Sequence, residues 1–119
     1  MTENTFKPLG PSGKRLPAVE YTPLLYTVGS TIHRLALHKD LNRALPDTHK
    51  EWVVSEPISG MRVRPVYGTS KGAVVSSKGL GPKAAREAAV QTLDRLVSSP
   101  GVGEAAFNER VKMAIRDAK

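Results

Sequence analysis

The residues best suited to chemistry in this chain are basic and lie beside glycines. Lys78, Lys83 and Arg86 flank a Gly-Leu-Gly-Pro turn, residues 79–82, at the predicted start of a helix. The first turn of a helix exposes unpaired backbone N–H groups and a partial positive charge, and glycines allow a ligand to approach closely. Acidic residues usually occupy that turn, but here the first charged residues are basic. The spacing predicts a phosphate-binding site, and the alternative is an ordinary Gly-Pro helix start.

A long stretch without a carboxylate surrounds this turn. Residues 57–86 contain six basic side chains and no acidic one: Arg62, Arg64, Lys71, Lys78, Lys83 and Arg86. The 119-residue chain has 18 Lys and Arg against 11 Asp and Glu, a net charge of +7, so this segment carries nearly all of the excess. Such a balance favours a polyanionic partner, nucleic acid above all. The alternative is a solvated basic face that keeps the protein soluble.

Two short pairs of histidine and aspartate offer a different chemistry. His38 and Asp40 precede Asp47 and His49, and these side chains can bind a metal ion or act as a general base. They flank a predicted helix end and turn, where a capping Asp and an exposed His are common. The chain has no cysteine and no recognisable nucleophile motif. We therefore expect a protein that is not an enzyme and that has no metal site and no cofactor.

The composition is that of one small globular domain. Hydrophobic residues make up 39% of the chain and charged residues 24%. No apolar run approaches the ~18 residues of a membrane span, and the start of the chain lacks the hydrophobic segment of a signal peptide. We expect a cytoplasmic protein with no membrane partner. Prolines and glycines in residues 1–20 predict a flexible basic N-terminal arm, followed by a single α+β domain over residues 21–119.

Apolar spacing predicts the elements of that domain. A helix is predicted to begin at Thr22 and to continue loosely to Leu45. Short β-rich runs then predict a three-stranded antiparallel meander. Its strands are Trp52 to Ser55, Met61 to Tyr67 and Ala73 to Ser77. A second helix is predicted from Pro82 to about Val97, and a third follows the break that ends at Gly103. The predicted fold class is therefore α+β, arranged α-β-β-β-α with the three-stranded sheet packed on helices, plus an extra C-terminal helix.

The second predicted strand carries two arginines. Because side chains alternate along a strand, Arg62 and Arg64 are expected to project from one face, opposite Met61 and Val63. Pro65 cannot donate a hydrogen bond within a sheet, so an edge or a bulge is expected there.

The element order and the residues Pro82-Lys83-Ala84-Ala85-Arg86 resemble the double-stranded RNA-binding domain. That family opens its second helix with a lysine-rich stretch that contacts phosphates across the major groove. Pro82 stands in place of the first lysine, and the loop at 56–60 lacks the family's minor-groove element. The resemblance covers residues 22–97 and implies that Lys83 and Arg86 bind phosphates.

A three-stranded sheet followed by a helix is also similar to the arm-type DNA-binding domain of tyrosine recombinases. That resemblance implies that Arg62, Arg64 and Lys71 point from the sheet towards DNA.

We therefore expect a non-enzymatic protein that binds duplex RNA or DNA through its phosphates. Lys78, Lys83 and Arg86 are expected to act at the helix start, with Arg62, Arg64 and Lys71 extending the patch. The alternative partner is an acidic protein, bound by a small basic inhibitor or adaptor.

Overall fold

The structure, a computed structural model, describes residues 4–10, 12–41, 45–46 and 49–118. Over these residues the chain forms eight strands followed by two helices. They are β1 (Thr5–Phe6), β2 (Val19–Glu20), β3 (Thr22–Val28), β4 (Thr31–Lys39), β5 (Trp52–Ser55), β6 (Arg62–Pro65), β7 (Tyr67–Ser70), β8 (Ala73–Ser76), α1 (Pro82–Val97) and α2 (Gly103–Asp117). Strands β3, β4, β5 and β6 form a four-stranded antiparallel sheet in that order. Strands β1 and β2 pair separately, as do β7 and β8.

The segment predicted as the first helix, Thr22 to Leu45, instead contains a β-hairpin formed by β3 and β4. The register pairs Val28 with Thr31 and leaves only Gly29 and Ser30 in the turn. Gly29 has φ 62°, a left-handed conformation of the kind that two-residue hairpin turns require.

Burial along the hairpin shows why the helix prediction was wrong. Leu24, Tyr26 and Val28 are buried, whereas Leu25 is 66% exposed and Ile32 is 65% exposed. This is the two-residue period of a strand. The predicted helical stripe had combined residues from both faces of the hairpin, because spacings of three and four residues also arise by chance across two strands and a turn.

The three predicted strands exist in part, but they do not form one sheet. Strand β5 pairs with β4 as well as with β6, and the predicted second strand is divided at Val66 into β6 and β7. Strand β8 pairs with β7 alone, in a separate hairpin. The predicted α-β-β-β-α fold with a single three-stranded sheet is therefore wrong. The structure is still a mixture of helices and strands, but both helices follow all the strands in the chain.

The two C-terminal helices are confirmed at their predicted places. Helix α1 spans Pro82–Val97, with Pro82 in its first turn and Ala85, Ala89 and Leu93 fully buried. Helix α2 spans Gly103–Asp117. Alanines at the contact allow α1 to lie close to the sheet, because a methyl group occupies little space between the backbones.

Both helices cover the same face of the four-stranded sheet. Val54 of the sheet and Leu93 of α1 are fully buried in this core. The ring of Tyr26 contacts Phe107 of α2 edge-on, with centroids 5.9 Å apart, and its hydroxyl donates a hydrogen bond of 2.6 Å to Asp94 of α1. Burial and this bond raise the pKa of Tyr26. Tyr26 of β3 thus contacts both helices and connects them to the sheet.

The N-terminal segment lies against the opposite face of the sheet. Phe6 is 5% exposed, and its ring centroid is 5.1 Å from that of His38. The Leu9 N–H donates to the Gly60 carbonyl at 3.0 Å, and Arg15 donates to the Ile58 carbonyl at 3.2 Å. That these residues act as a flexible arm in solution stays a prediction.

We expect Gly60→Ala to release this segment. Gly60 has φ 75°, and a Cβ there would lie 2.8 Å from the Leu9 backbone nitrogen, closer than a real Cβ contact. Gly72 makes a matched control, since it has φ 80° with nothing within 4 Å of a Cβ. Both variants should lose about 1–2 kcal/mol of stability through strained φ. Limited trypsin digestion after Lys14 or Arg15 should accelerate only in Gly60→Ala, and equal digestion of the two variants would contradict the contact.

Candidate nucleic-acid interface

The turn that leads into α1 is anchored by the single tryptophan of the chain. The Trp52 backbone N–H donates to Ser77 Oγ, and its indole Nε1–H donates to the Leu80 carbonyl, both at 2.9 Å. Ser77 is fully buried, and Gly79 has φ 81°, where a side chain would be strained. These contacts hold the start of α1 against the start of β5.

The N-terminus of α1 is open. Its N-cap residue is Gly81, which supplies no capping side chain, and the first turn contains no acidic residue. A Cβ at Gly79 or Gly81 would meet nothing within 4 Å, so that side of the turn faces open space. The bond from the Ala85 N–H to the Gly81 carbonyl begins the helical ladder, so the N–H groups of Lys83 and Ala84 precede it. They and the helix dipole favour an anion at this end.

Three of the six predicted site residues belong to this end of the helix. Lys78, Lys83 and Arg86 are all exposed. Arg86 has a second role, because its Nη2 donates to the Pro23 carbonyl of β3 at 3.0 Å. Strand β3 is an edge of the sheet. Pro23 has no N–H to donate, and its carbonyl already accepts a hydrogen bond from Arg86. This end of the edge strand is therefore protected from pairing with a strand of another molecule.

A fourth cation, Lys39, was missed by sequence reasoning. Lys39 ends β4, and its Nζ lies 5.4 Å from the centroid of the Trp52 ring, which is itself bonded to Leu80. A basic residue more than 40 positions upstream of α1 gives no sequence signal for this proximity. We call Lys39, Lys78, Lys83 and Arg86 the α1 cationic cluster.

Carboxylates border the α1 cationic cluster, since Glu20 and Asp40 line the same pocket as Lys39. Glu51 Oε1 accepts a hydrogen bond of 3.0 Å from Ser76 Oγ, and the same Oγ accepts from the Lys78 N–H at 3.2 Å. The positive charge is therefore least offset at the first turn of α1, which contains no acidic residue.

No contact among the described residues links the other three predicted site residues to the cluster. These residues are Arg62, Arg64 and Lys71. Lys71 lies at the tip of the β7–β8 hairpin, with φ 51°. Arg62 pairs with Ser55 and Arg64 with Val54, and the register shifts between these two pairs. Paired residues of antiparallel strands share a face, so the two arginines lie on opposite faces of the sheet.

The prediction that Arg62 and Arg64 share a face is therefore wrong. Val63 is an extra residue that breaks the alternation of β6. The expectation of an edge or a bulge near Pro65 is confirmed, since β6 forms one edge of the sheet and carries this irregularity.

Trp52, the aromatic ring beside Lys39, is not available for stacking on bases. Trp52 is only 7% exposed, which confirms that it is a packing residue. Tyr67 is half-buried, and its backbone N–H donates to Thr92 Oγ1 at 3.1 Å. The interface thus offers cations and backbone N–H groups.

The histidine and aspartate pairs are placed differently from the prediction. His38 lies within β4 and is 4% exposed, so its predicted position at an exposed helix end is wrong. Asp47 lies outside the described residues. Over the part of the chain that the structure describes, no group of three or more His, Asp or Glu residues could hold a metal ion.

No protein-family model, no curated protein and no solved structure matches the chain. Within the described ranges of the chain, no helix is long and apolar enough to cross a membrane.

Proposed function

We propose that this protein binds double-stranded nucleic acid, with backbone phosphates at the open N-terminus of α1. The observation that carries the proposal is an uncapped helix start with no acid in its first turn, with Lys78 and Lys83 exposed on either side of its N-cap. A phosphate there accepts hydrogen bonds from backbone N–H groups and interacts favourably with the helix dipole. The same anion relieves the repulsion between Lys83, Arg86 and the positive end of the helix.

Phosphates rather than bases are the proposed contacts, because the cluster lacks an exposed aromatic ring. Single-stranded nucleic acids are usually bound by stacking their bases on such rings. Trp52 is instead buried beneath Lys39. A duplex presents two rows of phosphates with its bases enclosed, which suits a surface of cations and N–H groups.

As the ligand, we propose duplex RNA slightly ahead of duplex DNA. The part of the chain that resembles the double-stranded RNA-binding domain is reduced to β8, the glycine turn and α1, residues 73–97. That family uses this unit to contact phosphates across the major groove. Lys71 and Arg64 are both exposed and remain candidates for further phosphate contacts.

A binding comparison tests the proposal. Nuclease-treated protein is titrated into labelled duplex RNA, duplex DNA and single strands of equal length at low salt. We expect both duplexes to bind, and the single strand to bind more weakly. Binding to none of the three would overturn the proposal. Co-purification of an acidic protein partner after nuclease treatment would also overturn it, if that partner does not compete with nucleic acid for the protein.

A further inference from the structure

A second candidate site lies on the face of the sheet away from the helices. There a cavity of about 330 Å³ separates the sheet from the N-terminal segment. This volume falls at the lower end of the range for small-molecule sites, roughly 300–1,000 Å³. Four polar residues line it: His38 of β4, Asp40 just after β4, Ser55 of β5 and Arg62 of β6. The proposed nucleic-acid site uses none of them.

The hydrogen bonds of His38 determine where its proton lies. Its Nδ1 is 2.9 Å from the Lys39 carbonyl, which can only accept, so Nδ1 carries the hydrogen. In the neutral ring Nε2 is then an acceptor, and it receives the Ser55 hydroxyl hydrogen over 2.7 Å. With this arrangement Ser55 offers only lone pairs to the cavity.

Protonation of His38 would reverse the bond to Ser55. An Nε2–H donates to Ser55 Oγ, and the hydroxyl hydrogen becomes free to point into the cavity. The cavity would then present two hydrogen-bond donors, the Ser55 hydroxyl and the Arg62 guanidinium. Both can donate to the oxygens of a carboxylate head.

Arg62 and Asp40 are the charged groups that shift the pKa of His38, and Glu20 and Lys39 line a neighbouring pocket with it. Burial lowers the pKa of His38, and the charge of Arg62 lowers it further. The Lys39 carbonyl and the charge of Asp40 act in the opposite direction on that pKa. An anion held beside Arg62 would offset the charge of Arg62 and raise the pKa of His38, so binding is expected to take up protons.

Apolar side chains form most of the remaining wall. Pro8, Leu9 and Leu16 come from the N-terminal segment, and Val53 comes from the sheet. A ligand that fills the cavity must therefore join an apolar body to its anionic head.

We propose that this cavity binds a small amphipathic carboxylate, with its head at Arg62 and Ser55 and its apolar body against Leu16 and Val53. Pro8, Leu9 and Leu16 of the N-terminal segment supply one wall of the cavity and would contact the bound ligand.

The test uses three six-carbon molecules that differ only in the head group. Hexanoate, hexanol and hexylammonium are titrated into isotope-labelled full-length protein, and the NMR signals of the His38 ring and of the Leu16 and Val53 methyl groups are followed. We expect hexanoate to bind most tightly, and more tightly at pH 6 than at pH 8. Hexylammonium should bind most weakly.

Arg62→Gln and Arg64→Gln form a matched pair, because each removes one exposed charge from β6 on opposite faces. Arg62→Gln should weaken hexanoate about tenfold, whereas Arg64→Gln should leave its affinity unchanged. No shift of these signals at millimolar hexanoate would overturn the proposal. Equal binding of hexylammonium, or equal loss in the two variants, would also overturn it.

Discussion

Leu24→Ala should lower the free energy of unfolding by about 2–5 kcal/mol, while Leu25→Ala should change it by less than about 0.5 kcal/mol. Leu24 is 3% exposed in the core beneath the helices, and Leu25 is 66% exposed on the other face of β3. Truncating the buried side chain leaves a cavity, whereas truncating the exposed one leaves the packing intact. The two variants have the same chemistry at neighbouring positions.

Urea denaturation followed by the fluorescence of Trp52, the only tryptophan, measures both effects. The predicted helix would have buried Leu25, so a larger loss in Leu25→Ala than in Leu24→Ala would contradict the β-hairpin. Unchanged denaturant slopes would show that both variants unfold from the same compact state.

Lys78→Ala/Lys83→Ala should weaken duplex binding on the order of tenfold or more at moderate salt. Both side chains are exposed at the open start of α1, so their removal should spare the fold. The loss should be similar for duplexes of different sequence, because phosphates carry no base information. Fluorescence anisotropy with labelled duplexes measures it. Arg86 is kept, because its bond to Pro23 also supports the fold.

The matched control is Lys112→Ala/Arg116→Ala. It removes the same charge from exposed positions on α2. We expect this variant to bind duplexes nearly as tightly as the unaltered protein. If both double variants lose the same affinity, binding depends on net charge alone and the α1 cationic cluster is not the site.

The helices were predictable because their signals are local. Pro82 after two glycines begins α1, and small and large apolar residues recur at helical spacing through Leu93. Phe107 and Val111 do the same in α2, and both are buried. Each signal comes from residues less than five positions apart, so no knowledge of the sheet was needed.

The β-hairpin of β3 and β4 was missed because the same residues supported both a strand prediction and a helix prediction. The alternation of Leu24, Tyr26 and Val28 and the Gly29-Ser30 turn were present in the sequence. A chance stripe at spacings of three and four, begun by a Thr-Pro pair, favoured a helix. The Pro is in fact tolerated because β3 is an edge strand, where a missing N–H breaks no bond within the sheet.

The two candidate sites differ in how much of each could be predicted. Lys78, Lys83 and Arg86 lie within nine residues of one another, so a local pattern found them. His38 and Ser55 meet only because β4 and β5 pair in one particular register. Their identities carry no signal for that register, so this site required the structure.

The salt dependence of duplex binding tests the central claim most directly. If each of the four residues of the α1 cationic cluster neutralises one phosphate, the logarithm of the binding constant should fall with the logarithm of salt concentration with a slope of about −3.6 on B-form DNA. Lys78→Ala/Lys83→Ala should reduce that slope by about 1.8. A slope near zero for the unaltered protein would contradict phosphate recognition at the start of α1.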